Sequence, residues 1–253
     1  MPVLLILKLF LVPSFIAGIT LAGRRWGATV AGSLAGFPVI TGPILLFVAI
    51  EQGSQFAATA ATGAMLAVLS NIGFGIAYSW ACRRHSWYIS LLFGWLVYFC
   101  LVALLSFVHV SPWQACLITI CGLLIAAKCY PRASVDLPKA VQPGSDLVYR
   151  MLAAVVLVLA LTFFSAQLGP NLTGLLSVFP VMGSVLGVFS HRHYGAGFAI
   201  KILQGMVQGF YAFTVFCLVL AYTLRTQPWL FCFLTATLVA VVIQTMLMRR
   251  RAK

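Results

Sequence analysis

One segment of this amino-acid sequence occurs twice. Residues 27–63 and 169–205, aligned without gaps at an offset of 142, are identical at eleven of 37 positions. An internal repeat decides the architecture before any local motif does. The identical positions are Gly27/Gly169, Gly32/Gly174, Leu34/Leu176, Phe37/Phe179, Pro38/Pro180, Val39/Val181, Phe47/Phe189, Gly53/Gly195, Phe56/Phe198, Ala57/Ala199 and Gly63/Gly205.

The composition is that of a membrane protein. Hydrophobic residues make up 62% of the chain and charged residues only 8%. Several runs of about 20 residues are almost free of charge, which is the length needed to cross a bilayer. A net charge of +13 would suggest nucleic acid for a soluble protein, but here the cations lie in short clusters between apolar runs. The expected partner is therefore the lipid bilayer and not nucleic acid.

The cations also predict the topology. Nine apolar segments can be marked, at about 3–22, 28–50, 55–81, 87–108, 112–128, 148–168, 171–190, 196–222 and 228–248. If all nine span the membrane, thirteen loop cations lie on one side and only Arg225 on the other. A Lys/Arg bias marks the cytoplasmic side, so we expect an outside N-terminus and a cytoplasmic C-terminus in the plasma (inner) membrane. A rival topology with re-entrant second and seventh segments divides the cations almost evenly and is rejected.

The repeat then predicts a fold class. An odd number of crossings separates the two copies, so they enter the membrane from opposite faces. We expect an all-α polytopic membrane protein with two inverted four-helix repeats. Residues 1–111 would form the first repeat, 112–147 a linker helix and a cytoplasmic loop, and 148–253 the second repeat with a basic tail.

The second and seventh segments are expected to be broken helices. Pro38 and Pro180 each remove a backbone donor near mid-membrane. Broken helices in inverted repeats are typical of secondary transporters, so Phe37, Pro38, Phe179 and Pro180 are candidate substrate-binding residues. The alternative is a Pro-kinked helix packed through small residues at Gly32/Gly36 and Gly183/Gly187.

A polar stripe marks the eighth segment. Lys201, Gln204, Gln208 and Tyr211 fall on one helical face, and Thr59 and Thr62 of the third segment align with Lys201 and Gln204. Polar residues on a spanning helix normally face the bundle or a wet cavity, so these six are further substrate-binding candidates. Lys201 would contact an anionic group, or its side chain would extend to the cytoplasmic interface.

Other polar residues are isolated. Glu51 and His193 occupy equivalent positions at segment ends, and they are candidates for gating or proton coupling because histidine titrates near neutral pH. Ordinary interfacial residues also occur at such positions. Asn71 and Gln244 suit hydrogen bonds between helices.

These features predict a secondary transporter or facilitator that moves a small anionic or zwitterionic solute by alternating access. The alternatives are a channel-like pore, or a non-transporting membrane component such as an assembly partner or a lipid-handling enzyme. No HExxH, GxSxG or P-loop motif occurs in the sequence, so an enzyme is disfavoured. No cofactor or metal is expected, and a homo-oligomer is compatible with these features.

Overall fold

The computed structural model of the protein describes residues 2–132, 148–149, 151–153, 155–156 and 175–252. The described residues form α-helices joined by short turns and contain no β-strand, in agreement with the all-α class. The helices are α1 (Pro2–Trp26), α2 (Ala28–Ala35), α3 (Thr41–Glu51), α4 (Ser54–Ala81), α5 (Trp87–Ser106), α6 (Pro112–Cys129), α7 (Val181–Tyr194), α8 (Ala196–Thr223) and α9 (Trp229–Ala252).

Six helical stretches within the described residues are long and apolar enough to cross a membrane. They are Ser54–Ala81, Trp87–Ser106, Pro112–Cys129, Leu175–Tyr194, Ala196–Thr223 and Trp229–Arg249. Pro13–Gly23 and Thr41–Glu51 are shorter apolar helical stretches. The chain is therefore an α-helical protein suited to a membrane, while the number of nine crossings stays a prediction.

Helices α4 and α8 pack against each other at the centre of the bundle and are the most buried of these stretches. Small side chains make this possible in α4, where alanines from Ala57 to Ala67 are fully buried. Helices α5 and α9 are the least buried and expose large apolar side chains such as Leu96 and Leu238. This distribution fits two central helices surrounded by helices that face lipid.

Helix ends recur at the same offset as the sequence repeat. Helices α4 and α8 both have 28 residues, and their first and last residues are 142 positions apart. Each follows a glycine with positive φ, Gly53 at 90° and Gly195 at 83°. A residue with a Cβ rarely adopts this conformation, which explains the shared glycines. The next helices, α5 and α9, begin at Trp87 and Trp229, again 142 positions apart.

Several basic residues lie at one end of the bundle. Trp80 Nε1 donates a hydrogen bond to the Cys129 carbonyl at 3.0 Å, and Tyr78 Oη lies 3.4 Å from His191 Nδ1, so α4, α6 and α7 end together. The exposed cations at these ends are Arg83, Arg84, Lys128, Arg132 and Arg192. Their clustering agrees with the charge bias of the sequence, and the membrane face of this end stays a prediction.

Some predictions fall outside the described residues. The predicted loop around 133–147 lies outside them, as does most of the sixth segment at 148–168, apart from short helical stretches between 148 and 156. The division into three domains therefore remains a prediction.

Candidate functional site

The second segment is interrupted at Pro38. Helix α2 ends at Ala35 and α3 begins at Thr41, and we call residues 36–40 the first break. Within it, Phe37 N donates to the Leu34 carbonyl at 3.2 Å, and Val39 N donates to the Phe37 carbonyl at 2.7 Å. The second bond spans two residues and closes a tight turn around the proline, as in an inverse γ-turn. Gly42 N then donates to the Pro38 carbonyl at 2.9 Å and starts the next helix.

The seventh segment is interrupted in the same way, and we call residues 178–180 the second break. Phe179 N donates to the Leu176 carbonyl at 3.0 Å, Val181 N to Phe179 at 2.7 Å, and Ser184 N to Pro180 at 2.7 Å. All three bonds join residues that lie 142 positions after those of the first break. The two breaks therefore share one backbone conformation as well as the Phe-Pro-Val triplet.

Side chains from three helices satisfy the carbonyl groups that the second break releases from helical bonding. Tyr98 Oη donates to Leu175 at 3.1 Å, Thr41 Oγ1 donates to Ser177 at 3.3 Å, and Asn71 Nδ2 donates to Val178. Thr41 is the first residue of α3, so its bond joins the two breaks directly. The second break is thus tied to α3, α4 and α5.

Among the residues that the structure describes, the first break receives one such bond. Gln244 Nε2, from α9, donates to the Ser33 carbonyl at 3.2 Å and lies 2.6 Å from Ser33 Oγ. Ser33 and Leu175 are 142 positions apart, and α9 and α5 are related by the same offset. Each break is therefore held, at the equivalent carbonyl, by the corresponding helix from the other half of the chain.

Aromatic side chains surround the second break. The ring of Phe179 lies 5.3 Å from that of Tyr98, and 5.8 Å from those of Trp95 and Phe99. Trp95 Nε1 also donates to Ser184 Oγ at 2.9 Å. Such ring pairs add packing energy beyond burial alone. Phe179 thus anchors the second break to α5.

The glycine pairs named in the sequence lie where helices pack closely. A Cβ on Gly32 would lie 2.1 Å from the Ile202 carbonyl, and one on Gly36 would lie 2.3 Å from the Met206 carbonyl. Gly32 meets Gly205, and Gly36 meets Gly209. Because the residue numbers increase in the same direction along both helices, α2 and α8 run parallel.

Gly183 and Gly187 have a different neighbour. Their added Cβ atoms would meet the side chains of Phe74 and Tyr78 at 2.9 and 3.8 Å. The predicted packing role of small residues is therefore observed for both glycine pairs, beside the helix breaks and not instead of them.

The polar stripe of α8 does not converge on the breaks. Gln204 Nε2 donates to the Pro131 carbonyl at 3.1 Å, and Gln208 Nε2 donates to the Leu247 carbonyl at 3.3 Å. These partners lie just after α6 and near the end of α9, so both amides join helix ends. Tyr211 is partly buried against the apolar core.

Lys201 lies nearer the N-terminus of α8 than the residues that pack against the first break. It precedes Gly205 by four residues, which places it level with Ala28 at the start of α2 because the two helices run parallel in register. Eight residues separate Lys201 from Gly209, or about 12 Å at 1.5 Å per residue. The lysine is partly buried at this position.

The threonines of α4 bond within their own helix. Thr59 Oγ1 donates to the Gln55 carbonyl and Thr62 Oγ1 to the Ala58 carbonyl, each at 3.2 Å. Thr59 is exposed, and Thr62 is partly buried. Neither bond connects α4 to a break.

Glu51 and His193 are both exposed at helix ends, Glu51 at the end of α3 and His193 one residue before the end of α7. The His193 ring stacks on Phe189 with centroids 6.3 Å apart. Among the described residues, no group of three or more His, Cys, Asp or Glu side chains is placed to hold a metal.

Sequence reasoning found some of the connecting residues and missed others. Asn71 and Gln244 were expected to bond between helices, and both do. Thr41, Trp95 and Tyr98 gave no signal, because a hydroxyl or an indole in an apolar run is also common at lipid-facing and interfacial positions.

No protein-family model matches this chain, and no curated protein or solved structure matches it either. Function must therefore be inferred from the chain's own geometry.

Proposed function

We propose that this protein is a secondary transporter or facilitator that moves a small anionic or zwitterionic solute by alternating access. The observation behind this proposal is the pair of breaks with the same backbone hydrogen bonds, joined by the bond of Thr41 to Ser177. Broken helices that meet between two halves of a membrane protein are the usual place for a solute site.

The helix directions support an inverted repeat. Thr41 and Asn71 bond to the adjacent residues Ser177 and Val178, although they lie on either side of the turn at Gly53. Helix α4 therefore runs back along α3, antiparallel to α2 and α3. Since α8 runs parallel to α2, the equivalent helices α4 and α8 are antiparallel. An inverted pair of repeats has this arrangement.

Charge supports the solute class. Glu51 is the one acidic residue in the described part of the chain, and it is exposed at a helix end. A bare cation in the bundle would find no carboxylate there to neutralise it, and burial of an unpaired charge is costly. Lys201 is partly buried and supplies a positive charge toward the basic end of α8.

The test is solute uptake by the purified protein in liposomes. Vesicles are exposed to a mixture of isotope-labelled anions, amino acids and amines, and the solutes that enter are identified by mass spectrometry. We expect one chemical class to enter, to saturate with concentration, and to exchange with the same unlabelled solute inside. Lys201→Gln should lower this uptake, whereas Lys128→Gln, which removes an exposed lysine at the same end, should not.

The alternatives give different results in the same vesicles. A channel-like pore predicts electrical conductance and flux that does not saturate. A non-transporting component predicts no flux above that of protein-free vesicles. Equal uptake by the Lys201 and Lys128 variants would remove Lys201 from the site.

A further inference from the structure

The two breaks differ in how their carbonyl groups are satisfied. At the second break, all four carbonyl oxygens from Leu175 to Val178 accept a hydrogen bond, three from side chains and one from Phe179 N. The equivalent four at the first break run from Ser33 to Gly36. Ser33 accepts from Gln244 and Leu34 from Phe37 N, but no described residue donates to Ala35 or Gly36.

The difference has a cause in the sequence. The donors to Ser177 and Val178 are Thr41 and Asn71. The residues 142 positions later are Gly183 and Phe213, which have no side-chain donor. Within the described residues, the backbone offers no replacement. The Val39 N–H, which an unbroken helix would direct to Ala35, bonds to Phe37 instead, and Ile40 N makes no bond to Gly36.

Both carbonyl groups belong to buried residues. Ala35 is 7% exposed and Gly36 is buried against α8. Buried backbone oxygens in a membrane protein need a donor from protein, water or ligand. A third acceptor lies beside them, since Pro43 has no N–H for the Val39 carbonyl.

Carbonyl oxygens select the chemistry of what they bind. They carry partial negative charge, so they attract N–H groups and cations and repel carboxylates. An ammonium group offers several donors and a positive charge, and so matches adjacent acceptors at a site where no described residue contributes an acidic side chain.

We propose that the first break binds the ammonium group of the transported solute through the carbonyl oxygens of Ala35 and Gly36. This inference rests on the proposed transport function and narrows its solute to one that bears a protonated amine. The second break, whose carbonyls are occupied by Thr41, Asn71 and Tyr98, is a fixed scaffold and not a second copy of the site.

The first experiment measures thermal unfolding of the purified protein in detergent at constant ionic strength. The probes are methylammonium, glycine, sodium and tetramethylammonium, the last having the charge of an ammonium group without any N–H. We expect methylammonium or glycine to raise the unfolding temperature by about 5–10 °C near 100 times the dissociation constant. Glycine carries both charges of a zwitterionic solute, whereas methylammonium tests the ammonium group by itself.

Two variants test the position. Phe213→Asn places an amide where Asn71 lies in the other half, one turn beyond Gly209 on the ridge that faces Gly36. The new amide should donate to the Gly36 carbonyl and so abolish the stabilisation by methylammonium or glycine. Phe213→Leu has the same branching at Cγ as asparagine but no donor, and it should keep the effect.

A second readout does not depend on a folded variant at Phe213. Labelling glycine with ¹³C at the carbonyl and phenylalanine with ¹⁵N selects the four Gly-Phe pairs, of which Gly36-Phe37 is one. The Phe37→Leu substitution removes the labelled nitrogen of the Gly36-Phe37 pair, so the NMR signal that disappears is that of Gly36. Methylammonium should move the Gly36 carbonyl shift and leave those of Gly73 and Gly197 unchanged. Gly209 packs on Gly36 and does not serve as a control.

Three results would overturn the assignment. They are equal stabilisation by tetramethylammonium, equal stabilisation by sodium, and a Gly36 signal that stays still at saturating amine. These experiments measure binding and not transport. Their failure would therefore not contradict a result of solute uptake in vesicles. Conversely, amine binding with no uptake would reject the transport function and keep the site.

Discussion

The close packing of α2 on α8 makes Gly209→Ala a sharp test of the fold. A Cβ at this position would lie 2.3 Å from the Ser33 carbonyl oxygen and 2.7 Å from the Gly36 Cα, where ordinary van der Waals separation begins at 3.4 Å. All of these are backbone atoms, so no side chain can move aside. The two helices must separate by about 1 Å to accommodate the methyl group.

The separation is expected to destabilise the protein. Overpacking costs about 1–3 kcal/mol, and breaking each Cα–H···O interaction between the helices costs about 0.5–1 kcal/mol more. The alanine recovers about 0.5–1 kcal/mol of helix propensity. A net destabilisation of about 2 kcal/mol corresponds to an unfolding temperature about 4–8 °C lower, at roughly 2–4 °C per kcal/mol for a chain of this size.

The control is the same substitution at Gly18, in the interior of α1. A Cβ there would meet nothing within 4 Å. Gly18→Ala should therefore be neutral or stabilising by about 0.5–1 kcal/mol. Thermal unfolding of both variants in the same detergent measures the difference. A Gly209→Ala protein as stable as Gly18→Ala would refute the close packing of α2 on α8.

Four further predictions follow from single residues. Asn71→Leu leaves the Val178 carbonyl buried without its donor and should lower the free energy of unfolding by about 1–3 kcal/mol, measured by thermal unfolding; an unchanged stability would contradict that bond. Tyr98→Phe removes only a hydroxyl group and should cost about 1 kcal/mol in the same assay, so a larger effect than that of Asn71→Leu would reverse our ranking. Burial raises the pKa of Cys82 to about 12, and since the thiolate is the reactive form, a membrane-impermeant maleimide at pH 7 should spare Cys82. The exposed Cys129 should react from the cytoplasmic side, and labelling only from outside would invert the topology.

The breaks could be located from the sequence because their cause is local. A proline inside an apolar run lacks a backbone donor wherever the helix packs, so Pro38 and Pro180 marked both interruptions. The aligned glycines at Gly53 and Gly195 were likewise visible, and the structure shows that both hold positive φ.

The contents of the site could not be located in this way. Gln204 and Gln208 form one stripe with Lys201 on a helical wheel, yet their amides bond to Pro131 and Leu247. A helical wheel gives the direction in which a side chain points, but it does not show which neighbouring helix that side chain will contact. Equivalent positions in a repeat also need not hold equivalent chemistry, as Asn71 and Phe213 show.

From the amino-acid sequence alone we could predict an all-helical protein suited to a membrane, with interrupted helices at two equivalent places. Those properties follow from apolar length, proline and the repeat, which are all local to the chain. The three-dimensional structure was needed to show that α2 packs on α8 through glycine. It also showed that three side chains satisfy the second break, while no described residue donates to two carbonyls of the first. The physical reason is that a hydrogen bond between helices depends on their pairing and register, which bring together residues such as Gln244 and Ser33 from opposite ends of the chain.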